Sequence, residues 1–383
     1  MITRIKSKRI IVRDKFVDGY IYFDESGIID VTEKDFTFDN EIDATDKIVS
    51  PGFIDTHIHG GVDVDFYLGS PEEIAKAADY HMSHGTTTIF PTCSAVSFEH
   101  MHKFLKNLKT CMDNKVSKTN IAGAHMEGPY FAIEMCGAQA PDLITSPKKE
   151  DYTALVEEFG SKIIKRWSYA PERDTNEEFC KYITDKGIIA SIGHSAAKQA
   201  DCERAFENGC RLVTHLYSCT STITREKGYR ILGIIEHAYL TDDMNVELIT
   251  DGKHLPPDLI KMIYKIKGDD KIILCTDALK ASGSSVTESL EYGVGYVVED
   301  GVCKLPDRSA FAGSIATTDR LIRVCTKEAG ISLLSAVKML TENPAKMFGL
   351  NTGVLEKGKA ADVLIFDDDI NVSHVFVGGK QTV

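Results

Sequence analysis

Eight short apolar runs recur along the chain, each closing on a polar cluster and each separated from the next by helix-length sequence. They are GFIDTHIH (52–59), TTTIFPT (86–92), IAGAHMEGP (121–129), IKRWSYAPE (164–172), GIIASIGHS (187–195), RLVTHLYS (211–218), NVELITDGKH (245–254) and KIILCTDAL (271–279). Runs this short, apolar and punctuated read as buried strands. Between them, stretches such as Pro71 to Gly85 and Lys198 to Gly209 space their apolar residues for one helix face and end on glycine. Eight strand–helix units over residues 52–351 predict an α/β fold, a (β/α)8 barrel of TIM type.

Residues 1–51 and 352–383 follow another pattern, short strands broken by turns at Asp18-Gly19, Ser26-Gly27, Gly353, Gly358 and Gly378-Gly379. Neither terminus is long enough to make a well-packed sheet alone, so the two are expected to pair into one small β-sandwich domain beside the barrel.

Barrel enzymes place their chemistry at the C-terminal ends of the strands, and the histidines and carboxylates of this sequence lie there. His57 and His59 flank Ile58 at the end of the first strand. Alternate residues of a strand share a face, so the two imidazoles can hold one metal ion. His194 ends the fifth strand and His215 the sixth, and adjacent strands bring such residues within chelating distance. Glu127 ends the third strand, before Gly128-Pro129, whose composition predicts a tight turn. Asp277 closes the eighth strand after Ile272-Ile273-Leu274, where a carboxylate suits a general base. A second pair, His100 and His102, falls within the helical stretch FEHMHKFLKNL, where a spacing of two separates the rings. Asp251 precedes Gly252 in a turn signature and reads as structural.

These groups fit metal-assisted amide hydrolysis. A divalent ion on Glu127, His194 and His215 activates water and polarises the carbonyl, while Asp277 moves a proton from water to the leaving amine. His57 and His59 would hold a second ion, with Glu127 between the two.

Composition narrows the setting. A net charge of −13 argues against the broad basic surface that nucleic acid requires, yet it leaves room for one phosphate held by local cations. No apolar run of membrane-spanning length and no signal-peptide core are found. The ten cysteines form no CxxC pair and read as reduced thiols, so a cytoplasmic protein is expected.

The motifs PGFIDTHIHGG, GAHMEGPY, SIGHS, VTHLYS, TDGKH, CTDA and FAGS, with the tail NPAKMFGL and GVLEKGKAADVLIFD, occur in an order and spacing similar to the N-acetylglucosamine-6-phosphate deacetylases of the amidohydrolase superfamily. The resemblance covers nearly the whole chain. It implies a metal-bearing barrel with a β-sandwich from both termini, commonly as a homodimer. It assigns Glu127, His194 and His215 to the primary metal and Asp277 to acid/base duty. Members with the His57-x-His59 pattern can bind two ions. Zinc and iron both occur in such sites, and manganese or cobalt also suit the ligands. The resemblance further implies that Arg225, in TREKG, and His254 bind the sugar phosphate near the neighbouring subunit's site, and that Ala138 and Phe311 contact substrate.

Two departures stand out against that pattern. Cys136-Gly137-Ala138-Gln139 occupies a loop in which the family carries a histidine, and Gln139 can donate a neutral hydrogen bond but no positive charge. Ser218-Cys219 replaces the family's Asn-Ala. The expected activity is deacetylation of N-acetylglucosamine 6-phosphate to glucosamine 6-phosphate and acetate. The alternatives are the galactosamine epimer, another superfamily amidohydrolase, or a non-catalytic sugar-phosphate-binding protein. Most cyclic-amide hydrolases of this fold bridge their metals through a carboxylated lysine, which Glu127 replaces here. A non-catalytic relative would be marked by loss of a ligand or of Asp277, and all are present.

Overall fold

The computed structural model describes residues 1–291 and 294–383. All eight apolar runs form strands: Phe53–Ile58, Thr86–Cys93, Ala124–Glu127, Ile164–Tyr169, Ile189–Ile192, Leu212–Val213, Asn245–Ile249 and Ile272–Cys275. Each pairs in parallel with the next, from first to eighth. Asp277 N donates to His57 O at 2.9 Å across the remaining gap, joining the eighth strand to the first and bringing their ends together. The strands are buried on both faces because helices cover the outside, which is why they read as continuous apolar runs rather than alternating ones.

The helix predicted from Pro71 runs Pro71–Met82. Ser70 caps it by accepting from Glu73 N while the Glu73 carboxylate accepts from Ser70 N, and Ile74, Ala78 and Met82 form its buried stripe. The stretch after Lys198 forms Gln199–Glu207. His100 and His102 lie on the helix Phe98–Asp113, where His100 Nδ1 faces Ser97 Oγ at 2.8 Å and His102 Nε2 meets Glu158 at 2.9 Å. They take no part in the strand-end cluster.

The termini build one continuous sheet. Ile48–Pro51 pairs antiparallel with Val363–Phe366, joining the N-terminal strands to Val372–Val377 and Lys380–Gln381. The first strand, Thr3–Val12, pairs with Asn40–Asp43 over its first half and with Ile48–Val49 beyond a bulge between Ser7 and Ile10. Side-chain alternation gives this sheet two apolar faces. Ile10, Val49, Val363 and Ile365 bury a core of its own, while Ile11, Ile48, Leu364 and Phe366 join the core of the barrel. Among the described residues no helix is long and apolar enough to cross a membrane, and all ten cysteines carry free thiols.

One element was not anticipated from the sequence. Between the eighth strand and the last helices lies a four-stranded antiparallel sheet, Glu288–Glu291, Val294–Glu299, Val302–Lys304 and Phe311–Ser314. Ser314 N donates to Asp277 O at 2.8 Å, so this sheet is anchored where the chemistry was predicted.

Candidate active site at the strand ends

Six side chains from five strand ends meet in one buried cluster. The Glu127 carboxylate is its centre. Its Oε1 lies 3.2 Å from both His194 Nε2 and His215 Nε2 and 3.4 Å from His57 Nε2, and its Oε2 lies 3.2 Å from His59 Nε2. Asp277 Oδ1 approaches His59 Nε2 at 3.1 Å and His57 Nε2 at 3.5 Å. Two donor sets follow, Glu127 with His194 and His215, and His57 with His59 and Asp277, each having its ligand atoms within 4.8 Å of one another.

This arrangement is chemically incomplete as it stands. His57 Nε2 is fully buried without a hydrogen-bond partner, and the Nε2 atoms of His194 and His215 face each other at 3.2 Å. Imidazole nitrogens buried nose to nose around carboxylates are arranged for a cation. The opposite ring nitrogens of three of the four are held in place, His57 Nδ1 by Glu247 Oε1 at 2.9 Å, His59 Nδ1 by Ser94 Oγ at 3.1 Å and His194 Nδ1 by Met135 O at 3.0 Å. Each donor set offers two imidazoles and a carboxylate, donors that suit a divalent transition-metal ion, so the residues present fit the divalent metal that the sequence implied.

Electrostatics agree. Burial alone would lower the His57 and His59 imidazoles, but Glu127, Glu247 and Asp277 around His57 hold it up at about 9, and Asp277 with Glu127 holds His59 at about 10. The carboxylates thus create a field that favours positive charge. The two imidazoles in turn keep Asp277 below the usual carboxylate range against the opposing effect of burial.

The backbone is unusual at these positions. His194, His215 and Asp277 take φ of 46°, 28° and 49°, a left-handed conformation that disfavours residues with a Cβ. Strain of this kind, of order 1–3 kcal/mol per residue, concentrates at functional sites. Here it turns three side chains inward just as their strands end.

Five of the six, His59, Glu127, His194, His215 and Asp277, form the floor of a cavity of about 320 Å³. Ala138, Gln139, Ser218, Cys219, His254 and Phe311 all line it. Gln139 is engaged at both ends of its amide, donating from Nε2 to Glu127 Oε2 at 2.9 Å and accepting from Ala95 N at 2.8 Å. Gly137 has φ of 57°, and a Cβ there would approach Cys219 Sγ to 2.7 Å, so glycine makes room for the cysteine. Asp251 accepts from the backbone N of Lys253 and of His254, each at 2.8 Å, and lies 2.8 Å from His254 Nδ1. It is a turn residue that also orients the His254 ring against Phe311. Arg225 lies elsewhere, exposed on the hairpin Thr224–Glu226 and Tyr229–Ile231 and outside the cavity lining.

Several site residues were not singled out from the sequence. Tyr67, Asp65, Lys280 and Tyr296 line the cavity, Tyr296 being supplied by the unanticipated sheet. Beneath the cluster, Glu247 and Arg166 are fully buried in the seventh and fourth strands. Their signal was available: opposite charges in the middle of apolar strands, NVELI and IKRWSY, call for a buried partner.

Comparison with known proteins identifies the family. The model of the amidohydrolase family matches residues 48–382. An N-acetylglucosamine-6-phosphate deacetylase of Lysinibacillus sphaericus is 30% identical over 90% of this chain and 88% of its own. An N-acetylgalactosamine-6-phosphate deacetylase of Shewanella is 29% identical over 86% and 82%. The solved structure of a mutant N-acetyl-D-glucosamine-6-phosphate deacetylase from Mycobacterium smegmatis, in complex with N-acetyl-D-glucosamine-6-phosphate, superposes with a TM-score of 0.91 at 25% identity, over 100% of this chain and 99% of that one. Barrel, strand-end cluster and these likenesses lead to one statement of kinship: this chain belongs to the amidohydrolase family.

Proposed function

We propose that this protein hydrolyses the acetamide of N-acetylglucosamine 6-phosphate, giving glucosamine 6-phosphate and acetate. The observation that carries this reading is the convergence of Glu127, His59, His194, His215 and Asp277 on the floor of one cavity, with His57 buried against them.

Glu127, His194 and His215 would hold one divalent ion, and His57 and His59 a second, with zinc or iron favoured by the ligand set and manganese or cobalt next. Such an ion supplies Lewis acidity to the amide carbonyl and makes water nucleophilic near neutral pH. The rest of the chemistry belongs to the chain. Asp277 accepts a proton from the water that attacks the carbonyl carbon, then delivers it to the nitrogen as the C–N bond breaks, so that the amine leaves neutral. Gln139 keeps a second N–H on Nε2 beyond the one given to Glu127 and can donate it to the substrate. Ala138, Ser218, Cys219 and Phe311 shape the sugar site, and His254, fixed by Asp251, binds the phosphate. Arg225 serves the same phosphate from a neighbouring subunit of a homodimer, which accounts for its place on an exposed hairpin outside its own cavity. We place the enzyme in the cytoplasm, in keeping with its free thiols.

A second reading, the galactosamine epimer, is favoured by the Shewanella relative, an N-acetylgalactosamine-6-phosphate deacetylase whose identity is within one point of that of the Lysinibacillus enzyme. Acetate release from both N-acetylhexosamine 6-phosphates and from unphosphorylated N-acetylglucosamine distinguishes them. The expected result is chelator-sensitive turnover fastest on N-acetylglucosamine 6-phosphate. Faster turnover of the galacto epimer would transfer the assignment to it, and no turnover of either by metal-loaded protein would remove both.

A further inference from the structure

Behind the metal-binding cluster lies a buried ion pair that the proposed chemistry does not use. Arg166 and Glu247 are both fully buried. All five N–H donors of Arg166 are satisfied: Nε by Ser191 Oγ at 3.0 Å, Nη1 by Glu247 Oε2 and by Thr56 O at 3.4 Å, and Nη2 by Glu247 Oε1 at 3.0 Å and Thr214 Oγ1 at 2.9 Å. The pair therefore holds Glu247 in one orientation. Glu247 Oε1 then lies 2.9 Å from His57 Nδ1 and accepts from the backbone N of His215 at 3.2 Å.

The consequence for His57 is directional. With Nδ1–H donated to Glu247, the ring presents Nε2 to Glu127 and Asp277, and Nε2 is the fully buried nitrogen that has no hydrogen-bond partner. The same carboxylate fixes the backbone of His215, a ligand of the other donor set. His57, Glu247 and Cys275 also bring donor atoms close together. A guanidinium bound across both oxygens of Glu247 repels a dication there, so this third group is not a metal site.

We infer that Glu247, clamped by Arg166, is the positioning residue of the metal centre, which sets the tautomer and direction of His57 and ties the two donor sets together. The inference rests on the metal centre proposed above. Its test involves no substrate, so failure of the deacetylase reading and failure of this one are distinguishable.

Removing one member alone would leave a buried charge unpaired, so the test replaces both. Arg166→Met with Glu247→Gln keeps a hydrogen-bond acceptor for His57 Nδ1, whereas Arg166→Met with Glu247→Leu removes it at similar volume. Cobalt(II) binding to each protein is followed by its visible spectrum and by chelator competition. We expect two ions in the wild type, binding within a few-fold of that in the Gln pair, and in the Leu pair a loss of about 10–100-fold for the ion held through His57, with an altered cobalt spectrum. Unchanged binding in the Leu pair overturns the inference, as does equal weakening in both pairs. Long-range proton–nitrogen NMR of the zinc-loaded wild type, labelled at histidine, needs no variant. A proton on His57 Nδ1 is expected, and its absence overturns the assignment even if neither double variant folds.

Discussion

Asp277 stands where three demands meet. Its backbone takes a left-handed φ of 49°, its N–H joins the eighth strand to the first through His57 O, and its Oδ1 faces both His57 and His59. The imidazoles keep it ionised, as a proton acceptor must be. Asp277→Asn preserves shape and hydrogen bonding but cannot take up a proton. We expect kcat to fall by about 10²–10⁴-fold while metal content and KM stay near those of the parent, measured by steady-state acetate release and elemental analysis. Near-normal kcat would end the acid/base assignment. Gln139, expected from the sequence to contact substrate, also has a second task in the fold, since its amide bonds Glu127 and Ala95 and leaves one N–H for the cavity.

At the scale of elements, the short helix Thr318–Arg323 shows how charge secures a segment behind the site. Asp319, almost fully buried, bonds Thr317 and Arg323 and lies 3.6 Å from His84 Nδ1. Burial would raise its carboxyl, but His84, Thr317 and Arg323 outweigh burial and bring it down to about 2. A carboxyl whose pKa is lower folded than unfolded stabilises the fold above its unfolded value of about 3.9, and that stabilisation is lost as pH falls through about 2. Asp319→Asn should therefore lower stability at pH 7 by up to about 2 kcal/mol, with the difference from the parent shrinking towards pH 2. Urea denaturation at pH 7, 5 and 3 measures it. A difference independent of pH would show that packing, not charge, is what Asp319 contributes.

For the whole molecule, the open question is how an acidic protein recognises a phosphate. With Arg225 on an exposed hairpin, recognition in our reading needs a second copy of the chain. Arg225→Ala is expected to raise KM at least tenfold for the phosphorylated sugar, since a charge-assisted contact is worth about 1.5–3 kcal/mol, and to leave the unphosphorylated analogue almost unaffected. Light scattering coupled to gel filtration should report a dimer for both proteins. Equal effects on the two sugars, or a fully active monomer, would take Arg225 out of phosphate binding.

The sequence by itself determined the eight strands, their parallel order and the histidines and carboxylates at their ends, because burial on both faces leaves an unbroken apolar signature and metal ligands have few chemical substitutes. It also determined that both termini are β-rich, through regular turns and short alternating runs. Only the tertiary structure decided that those termini form one continuous sheet with two apolar faces, since a strand's pattern does not name its partner. The antiparallel sheet over 288–314 escaped the sequence because its strands are short and half-exposed, with weak periodicity. Arg166 and Glu247 were visible as charges in strands, but 81 residues separate them, and only closure of the barrel places one carboxylate between that guanidinium and His57. Ligand identity is local chemistry and can be read from the chain, whereas ligand direction is set by contacts between distant strands and exists only once they are packed.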